Sequence, residues 1–211
     1  MTPEVMAVHA VGKVVEGCAA ASSGRRTGPA AAKLRSALVA GLTTGTFVPP
    51  VRPDCIIRLL KPVPFGGPPC PGNCFVWVDA ACCQLAVVMP HHKTARSAGP
   101  IRFRLPQMIN DVAVAYFSWG HGLLADLAGQ PGVQHAFFNS RGGALTTNYY
   151  ATWWRQVLDV EGLTPQLCRC EGGACALRVS TCGRGVQLLA VVVVVCVTHH
   201  GFPRRSLAWR L

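Results

Sequence analysis

The sequence predicts an α+β fold, mainly helical with a small antiparallel β-sheet. Two helical stripes and one strand pattern carry that expectation. Ala30 to Leu42 is rich in Ala and Leu and sets Leu34, Ala37, Leu38 and Leu42 near helical spacing. From Ile109 the apolar residues fall at Val112, Ala113, Tyr116 and Phe117, the i, i+3, i+4, i+7, i+8 set of one buried helix face. Between these stripes, Ile101-Arg102-Phe103-Arg104-Leu105 alternates apolar and charged residues with period two, the mark of a half-buried strand.

Taken in order, residues 1–29 are expected to be a flexible lead-in. Ala20-Ala21-Ser22-Ser23-Gly24-Arg25-Arg26-Thr27-Gly28-Pro29 offers little from which to build a core. The helix at Ala30 follows and breaks at Gly45-Thr46-Phe47-Val48-Pro49-Pro50. Val51 to Leu60 resumes it, with Ile56, Ile57, Leu59 and Leu60 as its apolar face. Pro62 to Asn73 is a Pro/Gly loop holding Cys70, and Phe75 to Val78 is a short strand. Gln84 to Met89 and Ile101 to Leu105 form a β-hairpin. Its polar tip is His91-His92-Lys93-Thr94-Ala95-Arg96-Ser97-Ala98-Gly99-Pro100. The helix from Ile109 comes next, with Leu123, Leu124 and Leu127 extending or following it after Gly120. Ala136-Phe137-Phe138-Asn139 is a short buried segment, closed by a turn at Arg141-Gly142-Gly143. Thr146 or Thr147 can cap the last helix, whose buried set is Tyr150, Trp153, Trp154, Val157 and Leu158, and Gly162 ends it. From Leu167 onward, cysteines, glycines and valines show no helical face, and no internal repeat is visible.

The chain has 211 residues, enough for one domain with a real core. Half of them are hydrophobic and only 14% are charged. Lys and Arg number 20 against 9 Asp and Glu, a formal charge of +11. That balance favours polyanionic partners, nucleic acid before anionic membrane. Leu188 to Val197 is apolar but too short to span a bilayer, which needs roughly 20 residues. A strand suits its β-branched run better, and no membrane role is expected. Eleven cysteines without a basic, secretory-type N-terminus point to a reducing, intracellular compartment, with the cysteines as thiols or metal ligands. The basic charge turns that expectation toward the nucleus.

The order of these pieces is informative. An arginine follows a first helix in Val48-Pro49-Pro50-Val51-Arg52-Pro53-Asp54-Cys55-Ile56. A lysine sits on a hairpin in His91-His92-Lys93-Thr94, which returns through Ile101-Arg102-Phe103-Arg104-Leu105-Pro106. A helix leads to Phe137-Phe138-Asn139-Ser140-Arg141-Gly142-Gly143-Ala144-Leu145-Thr146. An aromatic helix ends in Gly162-Leu163-Thr164-Pro165. Residues 30–166 thereby resemble the catalytic domain of tyrosine recombinases of the phage-integrase type, with the flavour of algal mobile-element enzymes. The resemblance implies the fold of DNA breaking-rejoining catalytic domains, in incomplete form. It implies DNA as partner and chemistry without a cofactor, in which a tyrosine attacks the phosphate, arginines clamp its non-bridging oxygens and a hairpin lysine protonates the leaving 5′ oxygen. It places one arginine role on Arg52 and the lysine role on Lys93. Arg96, Arg102, Arg104 and His92 are the expected DNA contacts around them.

The resemblance stops after Pro165. The family continues into a histidine- and arginine-bearing box and then the nucleophilic tyrosine. Here Gln166-Leu167 runs into Cys168-Arg169-Cys170, and no tyrosine follows Tyr150. The expectation is therefore a DNA-binding remnant of a site-specific recombinase or integrase, active neither in DNA recombination nor in integration. Residues 167–211 would be an atypical tail from a frameshift or retained intron. Self-association stays open, because some proteins of this fold take the tyrosine from a neighbouring subunit. A different reading is a non-enzymatic, cysteine-rich zinc module that binds nucleic acid. Cys70-x3-Cys74-x7-Cys82-Cys83 offers thiolates for a structural zinc, although the spacing is not the paired C-x2-C pattern.

Overall fold

The computed structural model of the chain describes residues 3–49, 51–63, 70–79, 83–93, 95–158, 176–179 and 192–195. Helix α1 (Pro3–Ser22) corrects the expectation of a flexible lead-in. Met6, Ala10 and Val14 recur every fourth residue and are buried, so the segment has an apolar stripe that packs on the next helix. The polar, exposed stretch that suggested flexibility is confined to the connection at residues 22–27.

Helix α2 (Gly28–Thr43) has Pro29 in its first turn and a Thr27 cap, whose hydroxyl accepts from the Ala30 N–H at 3.4 Å. Leu34, Ala37, Leu38 and Leu42 are fully buried, as their spacing predicted. Small residues let α1 and α2 approach: a Cβ added at Gly17 would collide with the Ala37 Cβ, whereas one added at Gly12 would meet nothing within 4 Å. Gly17→Val is therefore expected to lower unfolding stability by about 1–3 kcal/mol through overpacking. Gly12→Ala, at an exposed helix position, is expected to raise it by about 0.8–1 kcal/mol. Denaturant melts of both variants check the pair; equal effects would mean that α1 does not pack where it is placed.

The expected helix from Val51 to Leu60 is only one turn, α3 (Pro53–Ile56), before strand β1 (Leu60–Val63). Ile56, Ile57 and Leu59 are all buried, a run too continuous for one helix face. Strands β2 (Cys74–Asp79), β3 (Gln84–Met89) and β4 (Ile101–Arg104) complete a sheet of order β1-β2-β3-β4. The ladders β2–β3 and β3–β4 are antiparallel, but β1 pairs parallel to β2. The sheet is thus mixed rather than purely antiparallel, within a mixed α and β architecture. Pro62 is tolerated in β1 because that strand is an edge.

After the sheet come two short helices joined without a break: α5 (Gln107–Ala115), a π-helical turn over Tyr116–Gly120, and α6 (His121–Leu127). The short helix α4 (Ala95–Ala98) lies earlier, in the β3–β4 connection. The π turn widens the helix where Tyr116, Phe117 and His121 meet Phe75, Phe137 and Phe138. Ring centroids there lie 4.8–6.3 Å apart. Helix α7 (Thr147–Leu158) starts one residue after Thr146, whose carbonyl accepts from the Tyr150 N–H at 2.8 Å. Tyr150 is buried as expected, while the side chains of Trp153, Trp154, Val157 and Leu158 lie outside the described residues, as does Gly162.

Met1–Arg169 forms one compact unit and Cys170–Leu211 another. In the second, β5 (Ala176–Val179) and β6 (Val192–Val195) pair antiparallel, so part of the valine run is a strand. Among the described residues no helix is long and apolar enough to cross a membrane.

Candidate nucleic-acid interface

The β3–β4 hairpin is anchored from below by a buried asparagine. The Asn110 side-chain oxygen accepts from the Leu85 N–H at 2.8 Å, and its amide donates to the Cys83 carbonyl at 3.2 Å. The start of β3 is thereby tied to α5. Leu85, Ala86, Val87 and Met89 are buried, which fixes the register of β3 against β4: Val88 pairs with Arg102 and Ala86 with Arg104. Arg102 and Arg104 are two residues apart, so they share one face of the sheet's other edge strand, and both are exposed.

The tip closes on itself. The Ala95 N–H donates to the His92 carbonyl at 3.0 Å, the Gly99 N–H to the Ala95 carbonyl at 2.9 Å, and His92 Nε2 to the Gly99 carbonyl at 2.8 Å. Gly99 adopts φ of +73°, a left-handed conformation that suits glycine. His92 is half-buried and spends its Nε2 on the tip's own backbone, so its part is to shape the turn. Lys93 and Arg96 are exposed on it.

The structure thus gathers Lys93, Arg96, Arg102 and Arg104 on one hairpin. No Asp or Glu occurs in the sequence between Asp79 and Asp111. Among the described residues none of these four cations pairs with a carboxylate, and the ion pair found is Lys13–Glu16 at 3.6 Å on α1. Arg52 comes from elsewhere. It is exposed at the start of α3, where its carbonyl accepts from the Cys55 and Ile56 N–H groups at 2.9 and 3.0 Å. Among the described residues no hydrogen bond links Arg52 to Lys93.

Two of the three tyrosines are unavailable as nucleophiles where they stand. Tyr116 is fully buried, its hydroxyl donates to the Ala136 carbonyl at 2.8 Å, and burial pushes its pKa well above the ordinary value. Tyr150 is also fully buried.

Of the expected zinc thiols, Cys74 and Cys83 stand at opposite ends of one hairpin. Cys70 and Cys74 lie at the two ends of one short turn; burial first, and then the neighbouring Cys70, push the Cys74 thiol up to about 12. Cys83 lies at the other end of the β2–β3 hairpin, next to Gln84, which pairs with Asp79, while Cys74 pairs with Val88. Five strand steps of about 3.3 Å separate those ends, too far for one ion with Zn–S bonds of about 2.3 Å. Cys82 lies outside the described residues. Among the described residues no group of three or more His, Cys, Asp or Glu side chains is placed to hold a metal.

One further group sequence reasoning missed is His121. It is buried between Tyr116 and Phe138, with Nε2 donating to the His135 carbonyl at 2.9 Å. Burial lowers its pKa; the His135 bond raises it and the Lys61 charge lowers it further. The unfolded chain therefore binds this proton more readily than the folded one. The stability that neutral His121 allows is present above the unfolded pKa near 6.5 and is lost as pH falls below it toward the folded value. Denaturant melts between about pH 7.5 and 5 should show this loss, and His121→Gln, which keeps a donor but does not titrate, should flatten it. An equally steep loss in the variant would assign the effect to other groups.

Comparison with protein-family models, with curated proteins and with solved structures finds no match to this chain.

Proposed function

We propose that the chain is a DNA-binding remnant of a tyrosine-recombinase-like catalytic domain, one that holds duplex DNA through the β3–β4 hairpin and does not itself break a strand. The observation that carries this reading is the hairpin's charge arrangement. Lys93, Arg96, Arg102 and Arg104 are exposed on a single edge hairpin, with no acidic residue in the surrounding sequence. Four exposed cations without carboxylates recover little by staying in water and much by displacing counterions from a phosphate backbone. In this reading Lys93 occupies the position of a proton donor to a leaving 5′ oxygen, and Arg52 that of a phosphate clamp. The buried states of Tyr116 and Tyr150 support the inactive half of the proposal.

Binding to duplex DNA of mixed sequence, measured across a range of salt concentrations, tests it. The expected result is sequence-independent binding that weakens steeply with salt, with a log–log slope of about −3 to −4 for four phosphate contacts. Binding that ignores salt would overturn the DNA half. Capture of a covalent protein–DNA adduct on a nicked substrate would overturn the inactive half.

The zinc-module reading retains one supporting observation, the thiols of Cys70 and Cys74 at the two ends of one short turn. It requires further donors beyond that pair. Metal analysis of the purified chain, with loss of fold on chelation, would favour it over the recombinase reading.

A further inference from the structure

Cys70-Pro71-Gly72-Asn73-Cys74 is a short turn with a thiol at each end, and nothing in the proposed DNA contact uses them. Cys70 is half-exposed at the start of the turn; Cys74 is buried as the first residue of β2. Asn73, between them, is buried at 4% exposure. Its carbonyl accepts from the Leu60 N–H at 2.9 Å, which docks the turn on β1. Its side chain grips the hairpin: the amide donates to the His91 carbonyl at 2.9 Å, and the oxygen accepts from the His91 N–H at 3.0 Å. His91 Nε2 in turn donates to the Pro71 carbonyl at 2.8 Å. Three hydrogen bonds therefore join the dithiol turn to a residue two positions before Lys93.

We propose that Cys70 and Cys74 form a reversible disulfide that pins this turn, so that the hairpin tip carrying Lys93 is held more rigidly in the oxidised chain than in the reduced one. The oxidant is a low-molecular-weight disulfide, RSSR. The Cys70 thiolate attacks one of its sulfurs, the S–S bond of RSSR breaks, the departing RS⁻ takes up a proton and leaves as RSH, and a Cys70–S–S–R mixed disulfide forms. The Cys74 thiolate then attacks the Cys70 sulfur and expels the second RSH. Two protein thiols lose two electrons, RSSR gains them, and both thiol protons end on the two RSH molecules. Accessibility sets the order, since Cys70 is reached from solvent and Cys74 is not.

The mechanical consequence follows from where Asn73 sits. Gly72 gives the reduced turn wide backbone freedom, and closing the ring around Pro71, Gly72 and Asn73 removes much of it. Asn73 then holds both backbone groups of His91 from a stiffer base. The link to DNA rests on the function proposed above, while the link from disulfide to His91 does not.

The test uses the full chain, equilibrated in glutathione buffers of graded redox poise. Alkylation and peptide mapping report the Cys70–Cys74 bond, and amide hydrogen exchange reports the His91 N–H. The expected result is a Cys70–Cys74 disulfide that reverses on reduction, with His91 exchange at least several-fold slower when it is formed. Asn73→Ala should leave the disulfide intact and erase the difference in exchange. Salt-resistant retention on duplex DNA should rise with oxidation in the parent chain and not in Asn73→Ala. Failure of the two thiols to pair, including by their retaining a zinc ion instead, overturns the proposal. So does a disulfide that leaves His91 exchange unchanged. If the thiols and His91 behave as expected but the chain ignores DNA, the redox coupling stands and the DNA reading falls.

Discussion

Replacing Lys93, Arg102 and Arg104 together with alanine is expected to weaken duplex-DNA binding by about two to three orders of magnitude at low salt, and to reduce the salt slope by about three. All three side chains are exposed, so the substitutions leave no buried group unpaired and create no cavity. The loss in affinity is then separable from loss of fold, which a melt of the same variant confirms. The comparison that decides the matter is Lys33→Ala together with Arg141→Ala, two exposed cations away from the hairpin. If attraction between net charge and DNA were the whole effect, these would weaken binding in the same proportion per charge. The hairpin reading requires a clearly smaller slope change from them. Equal losses per charge would reduce the hairpin to one part of a diffusely basic surface.

That hairpin was legible in the sequence because its signal is local. Alternation over Ile101 to Leu105 puts Arg102 and Arg104 on one exposed face, although Ile101 at the start of the strand is exposed as well, and the polar run from His91 to Pro100 specifies a turn. Neither depends on distant residues. The period of α2 and the start of α5 were legible for the same reason. Helix α1 is hard to read from sequence because its stripe of Met6, Ala10, Val14 and Gly17 includes two small residues, and the role of Gly17 shows only when its partner Ala37 lies against it. Strand β1 was missed because Leu59 and Leu60 fit a helix as well as a strand; the choice is made by the Asn73 carbonyl and by the parallel partner β2, both distant in sequence.

The supports of the site were the least legible part. Asn73 and Asn110 are ordinary polar residues by sequence, one before a strand and one on a helix. Their importance lies in which backbone groups they satisfy, His91 for the first and Leu85 and Cys83 for the second. A buried asparagine in such a position holds two elements in one register, because any slip leaves its amide and the backbone groups unpaired in a low-dielectric interior. Cationic residues announce a surface; the residues that aim them give no comparable signal. The cysteines read differently in sequence and in space. Their number and spacing suggested one four-thiol set, and the β2–β3 register separates Cys74 from Cys83 by the length of the hairpin.

Phe137→Ala is expected to cost about 3–5 kcal/mol of unfolding stability, the range for emptying a fully buried aromatic site. Phe137 has no exposed surface and stacks on Tyr116 at a centroid distance of 6.3 Å. Its neighbour Ala136 joins three parts of the unit: its N–H donates to the Leu59 carbonyl at 2.8 Å, and its carbonyl accepts the Tyr116 hydroxyl at 2.8 Å. The cavity would therefore open where the π turn, the segment before β1 and the Phe137 strand-like segment meet, and the crossing backbone bonds limit how far the walls can collapse. With a domain's total stability at about 5–15 kcal/mol, the variant would lose a large share of it. Leu127→Ala is the matched control, because Leu127 is 68% exposed and its truncation is expected to change stability by no more than about 0.5 kcal/mol. Urea melts of the two variants separate the cases. A small effect at Phe137 would mean that the aromatic centre is not the packed core on which the hairpin stands, and Asn110 would then be holding β3 to a helix that is itself loosely placed.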